Sequence, residues 1–281
     1  MKKFWIRTAS ATVYAALFVG SIYSGRLLHN ELAGVLILLA FLLFVTIGCT
    51  FEFFRMVKMQ GAKPCQFLGY LYAVLAFLAI GISGQPDILP LISVNFVFLT
   101  FVFFAISAIV QLWYHSEQPF RDAAYTMVPM FYIAIPLGLM PLLNVYNVLM
   151  MCVIMVWVND SFAYMGGSLV GKHKMWERHS PGKTWEGTAI GVAGTIAVAL
   201  FVGPLFDTQL NWVGWLVLGV ICSVIDTLGD LVESMLKRSV GVKDSGNIMP
   251  GHGGFLDRFD SLLIIVPFVF VFLKILEIFP V

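Results

Sequence analysis

Long apolar stretches separated by short polar ones dominate the chain. A helix needs about 20 mostly apolar residues to cross a bilayer, and the pattern predicts about nine such spans. They cover residues 8–25, 32–51, 66–83, 88–112, 123–140, 142–160, 187–206, 210–231 and 261–279. Residues 123–159 carry no charged side chain, and we place the break between the two spans there at Pro141 and Asn144. The predicted fold class is an all-α, polytopic integral membrane protein.

Composition supports this class. Of the 281 residues, 59% are hydrophobic and 12% are charged, whereas about 25% are charged in soluble domains. A net charge of +1 gives no reason to expect nucleic acid as a partner. The four cysteines lack the spacing of a zinc site or a disulfide framework. No small-residue cleavage site follows the first span, so we predict a membrane anchor there and not a signal peptide.

The distribution of basic residues predicts the topology. With the N-terminus in the cytoplasm, 15 of the 17 Lys and Arg residues lie on the inner side, as the positive-inside rule requires. Arg26 lies outside, and Lys274 falls within the last span. The prediction is a cytoplasmic N-terminus, an external C-terminus and two long cytoplasmic loops at 165–186 and 237–260.

Acidic residues gather in the second half of the chain. Ten of the sixteen lie between Asp160 and Asp260. We find no internal repeat or linker, so residues 1–281 are predicted to form a single membrane domain. Within it, 1–145 would supply the N-terminal spans and 146–281 the catalytic half.

The eighth span ends in "VIDTLGDLVESMLKR", which places three acids on one helix face. Asp226, Asp230 and Glu233 fall within about 60° of one another, and Lys237 shares their face. Each acid at membrane depth costs roughly 2.5–3.5 kcal/mol, and one lysine does not balance three. A divalent cation such as Mg²⁺ accounts for the stripe better than its alternative, an internal ion-pair seam or a water-exposed helix end.

A second polar stretch, "KDSGNIMPGHGGFLDRFDS", runs from Lys243 to Ser261. Glycines flank His252, which leaves backbone N–H groups open to a ligand. The ninth helix is predicted to begin near Phe255, so its positive dipole end would face the same place. Asp257 and Asp260 share a face of its first turn. The alternative is a turn capped by aspartates.

The loop at 165–186 is basic and rich in glycine. Gly166 to Lys172 fits G-x-x-x-x-G-K, but His173 replaces the required Ser or Thr and no strand precedes it, so a P-loop is excluded. The lysines favour an anion such as a triphosphate, with Thr184 capping the next helix. The alternative is a topology signal that binds only lipid headgroups. Asp160 is either a structural cap or a further site acid.

These motifs resemble a known family. "SMLKRSVGVKDSGNIMPGHGGFLDRFD", from Ser234 to Asp260, matches S-x-x-K-R-x-x-x-x-K-D followed by H-G-G-x-x-D-R-x-D, the pattern of the phosphatidate cytidylyltransferases or CDP-diacylglycerol synthases. "NDSFAYMGGSLVGKHK", "SPGKTWEG" and "GDLVES" also resemble that family. The resemblance is strong over the C-terminal half, whereas the N-terminal spans match only in being hydrophobic.

The resemblance implies that CTP and phosphatidate react to give CDP-diacylglycerol and pyrophosphate with Mg²⁺, the number of cations being open. It also implies a homodimer in the bacterial inner membrane, with the site on the cytoplasmic side. The implied metal ligands are Asp230 and Asp257. The expected catalytic residues are Asp226, Lys237, Arg238, His252 and Asp260. Some of the expected substrate-binding residues follow from the loops described above and some from the resemblance. They are Lys172, Lys183, Thr184, Ser234, Lys243, Asp244, Gly253, Gly254 and Arg258.

Two alternatives to this activity stay open. One is a related CTP-dependent enzyme that acts on another lipid acceptor, such as a polyprenyl or dolichol substrate. The other is an ion-coupled transporter, in which acids inside the membrane carry H⁺ or Na⁺. Transporters often contain inverted repeats and paired broken helices, and the sequence shows neither.

The topology leads to a first prediction. Single cysteines placed in the loops at 165–186 and 237–260 should resist an impermeant thiol reagent added from the periplasmic side, because both loops are expected to face the cytoplasm. The same cysteines should react once the membrane is permeabilised. Labelling of both loops from outside would reverse the topology.

Overall fold

The computed structural model describes residues 2–83, 89–114, 116–143, 145–206, 210–246, 248 and 253–278. This part of the chain is mainly helical, in agreement with the predicted class. Its α-helices are α1 (Lys2–Leu27), α2 (Glu31–Met59), α3 (Gln66–Ile82), α4 (Leu89–Tyr114), α5 (Pro119–Pro129), α6 (Ile135–Leu139), α7 (Met150–Val170), α8 (Trp185–Phe206), α9 (Trp212–Ser239) and α10 (Leu256–Ile278).

Six segments of the described chain are long and apolar enough to cross a membrane, so the prediction of nine spans is not confirmed. They are Glu31–Met59, Pro119–Leu142, Tyr146–Val170, Trp185–Phe206, Trp212–Ser239 and Leu256–Ile278. Two shorter apolar helices, Gln66–Ile82 and Phe98–Tyr114, fall below that length. The predicted span 8–25 lies within α1, where the side chains of 2–9 and 11 are outside the described residues.

Prolines shape the uncharged stretch that the sequence divides at Pro141 and Asn144. A π-helical turn (Met130–Ala134) follows Pro129, and a 3₁₀ turn (Met140–Leu142) contains Pro141. Proline removes a backbone N–H and disturbs the regular helical ladder, which explains these local changes of pitch. The two spans separate at this point as predicted, although Asn144 itself lies outside the described residues.

The chain divides into two compact units, which are described separately. The first comprises residues 1–142 and 240–258. In it α2 packs against α1 and α3, and α3 also packs against α5 and α6. Its core contains the fully buried side chains of Phe54, Phe77 and Leu137.

The second unit comprises residues 143–239 and 259–281. In it α8 packs against both α7 and α9. Where the sequence predicts an irregular loop at 165–186, α7 continues to Val170 and a short antiparallel hairpin follows, formed by β1 (Lys174–Trp176) and β2 (Ser180–Thr184). This hairpin is a departure from a purely helical chain. Its strands are too short to show the period-two pattern by which strands are recognised in a sequence.

Helices α7 and α8 meet backbone to backbone at glycines. A Cβ atom on Gly187 would lie 2.6 Å from the Ala163 carbonyl oxygen and 2.9 Å from Gly167 Cα. A Cβ on Gly191 would lie 3.0 Å from the Asn159 carbonyl oxygen. Small residues permit such close helix contacts in membranes, so packing explains Gly167 on α7 and Gly187 and Gly191 on α8.

This contact gives a second prediction. Gly187→Ala should destabilise the protein by about 1–3 kcal/mol, because the new methyl group meets backbone atoms that cannot move aside. Gly20→Ala in α1 is the matched control, since no atom lies within 4 Å of its added Cβ. Thermal melting in detergent should show a lower Tm for Gly187→Ala only. Equal Tm values for the two variants would mean that the α7–α8 contact is not this close.

Candidate active site

Three carboxylates of the second unit converge. Asp230 and Glu233 from α9 and Asp260 from α10 each present an oxygen, and these oxygens lie within 4.8 Å of one another. Oxygen donors from carboxylates are the ligands that hard cations such as Mg²⁺ prefer. The donor set therefore fits the divalent cation that the sequence predicts.

Two lysines neutralise part of this acidic group. Lys183 Nζ lies 2.7 Å from Asp230 Oδ2, and this lysine also donates to the Thr227 carbonyl oxygen at 3.3 Å. Lys237 pairs with Glu233 one turn away on α9, and the Glu233 side chain is fully buried. Ion pairs therefore account for part of the acidic stripe, because Lys183 of the hairpin adds a second ammonium group beside Lys237.

Asp226 is held by the side-chain amide of Asn159, a residue that is not among the predicted site residues. Asn159 on α7 donates from Nδ2 to Asp226 Oδ2 at 2.6 Å, and Asn159 is only 2% exposed. Its Oδ1 accepts from Thr195 Oγ1 at 3.5 Å. A buried charge requires hydrogen-bonding partners. The sequence signal for the partner of Asp226 was an asparagine within an apolar span.

The charges of these side chains leave room for a cation. Asp226, Asp230, Glu233 and Asp260 face two lysines, Lys183 and Lys237. With every group ionised, two negative charges are left among these side chains. A single divalent cation would balance them.

A cavity of about 390 Å³ lies beside this group in the second unit. Residues that line it include Asn159, Asp160, Lys183, Thr184, Thr227 and Asp230. Because α7 continues ten residues beyond Asp160 to Val170, this aspartate is not a helix cap. The cavity therefore brings together the open candidate Asp160 and three predicted site residues.

The hairpin confirms one predicted cap and reveals a further contact. Thr184 Oγ1 accepts from Gly187 N at 3.2 Å, so Thr184 caps α8 as expected. Glu186 accepts from the backbone N–H groups of Lys172 (3.2 Å) and His173, and its Oε1 lies 2.5 Å from His173 Nδ1. The side chains of Lys172 and Lys174 are exposed, and their phosphate contacts stay predictions.

The loop of the first unit is organised by Asp257. The Asp257 carboxylate accepts from Ser245 N (2.8 Å) and Gly254 N (2.8 Å), and Ser245 Oγ lies 2.9 Å from its Oδ2. Gly253 has φ +79°, a conformation that favours glycine. These contacts lie within the loop, and the role of Asp257 as a metal ligand stays a prediction.

The remaining predicted residues have varied settings. Ser234 donates to Asp230 Oδ1 at 3.4 Å, a contact that helps to orient this aspartate. Lys243 and Asp244 are exposed in the loop of the first unit, and Arg258 is half-buried. Arg238 is exposed near the end of α9. His252 lies outside the described residues.

Comparison with known proteins adds an independent finding. The model of the cytidylyltransferase family matches residues 5–276. A phosphatidate cytidylyltransferase of Staphylococcus aureus is 31% identical over 275 residues, which cover 95% of this chain and 98% of the relative. One of Staphylococcus epidermidis is 40% identical over 158 residues, so that the chain spans only 60% of that relative's length.

The Lys183–Asp230 contact gives a third prediction. Lys183→Met and Asp230→Asn should each lower Tm, but the double variant should lose less than the sum, with a coupling of about 0.5–3 kcal/mol. Lys274→Met and Glu277→Gln provide the matched control, since that pair is more exposed (44% and 63%) and should couple by at most about 1 kcal/mol. Additive losses at Lys183 and Asp230 would show that the ion pair does not form.

Proposed function

We propose that this chain, which belongs to the cytidylyltransferase family, is a phosphatidate cytidylyltransferase that converts CTP and phosphatidate into CDP-diacylglycerol and pyrophosphate. The observation that carries the proposal is the match to the Staphylococcus aureus phosphatidate cytidylyltransferase over 95% of this chain and 98% of that relative. The carboxylates of the second unit suit this reaction by offering a place for a cation, because both substrates are phosphate anions.

In the proposed reaction a phosphatidate oxygen attacks the α-phosphorus of CTP. A new P–O bond forms, the bond between the α-phosphorus and the bridging oxygen breaks, and pyrophosphate leaves with that oxygen. The attacking phosphate is already an anion at neutral pH, so the step does not need a strong general base. Orientation of the two phosphates and neutralisation of their charges are then the main catalytic tasks.

Residues of the second unit suit these tasks. Lys183 and Thr184 line the cavity, where an ammonium group and a hydroxyl can bind phosphate oxygens. Asp230, Glu233 and Asp260 would hold Mg²⁺. When bound, the cation neutralises charge on phosphate oxygens. Lys237 holds Glu233 in place through its ion pair.

The loop of the first unit carries further residues implied by family resemblance. The resemblance implies that Asp257 is a metal ligand and that Lys243 and Arg258 neutralise phosphate. The loop's backbone has less capacity for anions than the sequence suggests, because Gly254 N already donates to Asp257. We therefore assign phosphate binding mainly to the basic side chains.

The proposed setting is the inner membrane of a bacterium, with the site at the cytoplasmic face and the chain as a homodimer. Six apolar helices support a membrane protein. A cytoplasmic site gives CTP direct access, while phosphatidate reaches the site from the bilayer. Dimerisation is proposed from the family resemblance alone.

Transfer of label from CTP to lipid tests the proposed function. Purified protein in detergent micelles containing phosphatidate and Mg²⁺ should convert α-³²P-labelled CTP into labelled CDP-diacylglycerol. Label from γ-³²P-labelled CTP should appear only in pyrophosphate. Labelling of a polyprenyl phosphate in place of phosphatidate would favour the related enzyme, and absence of any labelled lipid would overturn the proposal.

The carboxylates give a fourth prediction. Asp230→Asn and Asp257→Asn should each abolish turnover in a protein that still elutes as wild type on gel filtration, because each change removes charge at nearly constant size. Glu177→Gln, an exposed acid of the hairpin, should keep full activity. Near-normal rates for both asparagine variants at limiting Mg²⁺ would make these carboxylates structural.

A further inference from the structure

Glu52 is a buried acid that lies one residue beyond the membrane span predicted at 32–51. It lies on α2 of the first unit and is 0% exposed. Most of α2 before Glu52 is apolar, and the helix is long and apolar enough to cross a membrane. An acid in such a helix is costly unless it has partners.

The partners of Glu52 are the backbone N–H groups at the start of α10 and one hydroxyl. Its Oε1 accepts from Phe255 N at 3.0 Å, and its Oε2 accepts from Leu256 N at 2.9 Å. Ser245 Oγ lies 2.8 Å from Oε2. Because the first N–H groups of a helix have no partner within the helix, a carboxylate 203 residues away in the chain supplies the cap.

Ser245 links Glu52 to Asp257. The same Ser245 hydroxyl lies 2.9 Å from Asp257 Oδ2, and Ser245 N donates to that oxygen at 2.8 Å. Arg55, almost one turn along α2 from Glu52, donates to the Ser245 carbonyl oxygen. Helix α2 therefore holds this segment through both a carboxylate and a guanidinium group.

Glycines make room for the Glu52 carboxylate. A Cβ atom on Gly246 or on Gly254 would collide with Glu52 oxygens, and those two glycines also lie close to each other. This explains two glycines of the motif "KDSGNIMPGHGG" by contact with a side chain of α2. Gly246 and Gly254 thus pack directly against the Glu52 carboxylate.

We propose that Glu52 is a positioning residue for cytidylyl transfer, which fixes Asp257 and Arg258 by capping α10 and anchoring Ser245. The proposal rests on the proposed function. Glu52 lies within the apolar α2 helix and acts through its hydrogen bonds to the loop. Without the Glu52 carboxylate, the Ser245 hydroxyl and the first turn of α10 lose the acceptor that they share. Because Ser245 N donates to Asp257, the Asp257 carboxylate then loses its fixed orientation.

Glu52→Gln tests this role at almost constant size, because the amide keeps only one accepting oxygen, so that either Phe255 N or Leu256 N loses its acceptor. Loss of a residue that orients a metal ligand typically costs about 10–100-fold in metal affinity or activity. We therefore expect the Mg²⁺ concentration for half-maximal activity to rise, and kcat to fall, by about 10–100-fold. A mere loss of folded protein would lower the rate without moving that Mg²⁺ concentration. Glu31→Gln, an exposed acid at the start of the same helix, should behave as wild type.

A second measurement does not depend on activity. Trypsin should cleave after the exposed Lys243 faster in Glu52→Gln than in wild type or Glu31→Gln, because the anchored segment begins two residues later. Ser245→Ala should show the same two changes, and its combination with Glu52→Gln should be no worse than the more affected single variant. Ser245→Ala also keeps the test available where Glu52→Gln fails to insert.

The outcomes separate this proposal from the proposed function. Wild-type kcat, Mg²⁺ dependence and cleavage rate in both Glu52→Gln and Ser245→Ala would overturn the role of Glu52. Faster cleavage with unchanged kinetics would reduce Glu52 to a structural cap and overturn the positioning role. If the wild-type protein makes no CDP-diacylglycerol, the proposed function fails and the positioning role in catalysis fails with it, while trypsin cleavage still decides whether Glu52 anchors the segment.

Discussion

The need to satisfy carboxylates inside apolar helices governs this structure. An unpaired charge in such surroundings costs several kcal/mol. In the first unit Glu52 and Asp122 are both fully buried, and each accepts from at least one backbone N–H group, while Asp122 also pairs with Arg121. Glu52 accepts from the start of α10, while Asp122 accepts from Lys63 N at 2.9 Å and so holds the segment between α2 and α3.

The second unit solves the same problem with side chains. Lys183 and Lys237 pair with Asp230 and Glu233, and an asparagine amide holds Asp226. With the four carboxylates of the candidate site and both lysines ionised, two negative charges are left among them, beside a cavity of about 390 Å³. Incomplete neutralisation is costly for stability but useful for chemistry, because a bound cation can then share its charge with phosphate oxygens. This is the physical link between the fold and the proposed transfer of a cytidylyl group.

Sequence patterns predicted the features that depend on local periodicity. The stripe from Asp226 to Lys237, the cap at Thr184 and the start of α10 near Phe255 all follow from helix geometry and local residue preferences. The contacts of Lys183, Asn159 and Glu52 did not follow, because their partners lie 47, 67 and up to 204 residues away along the chain. A period of 3.6 residues reports which face a side chain occupies, but it does not report which distant segment meets that face.

Mn²⁺ is a spectroscopic substitute for Mg²⁺ at carboxylate sites. Its binding tests directly whether the converging carboxylates of α9 and α10 form a cation site. Electron paramagnetic resonance of the purified protein in detergent would measure the free Mn²⁺ that remains after titration. We expect saturable binding in wild type and in Glu177→Gln, and loss of that binding in Asp230→Asn and Asp260→Asn. Undiminished Mn²⁺ binding in both aspartate variants would contradict this expectation, since the converging carboxylates of α9 and α10 would then not form the cation site.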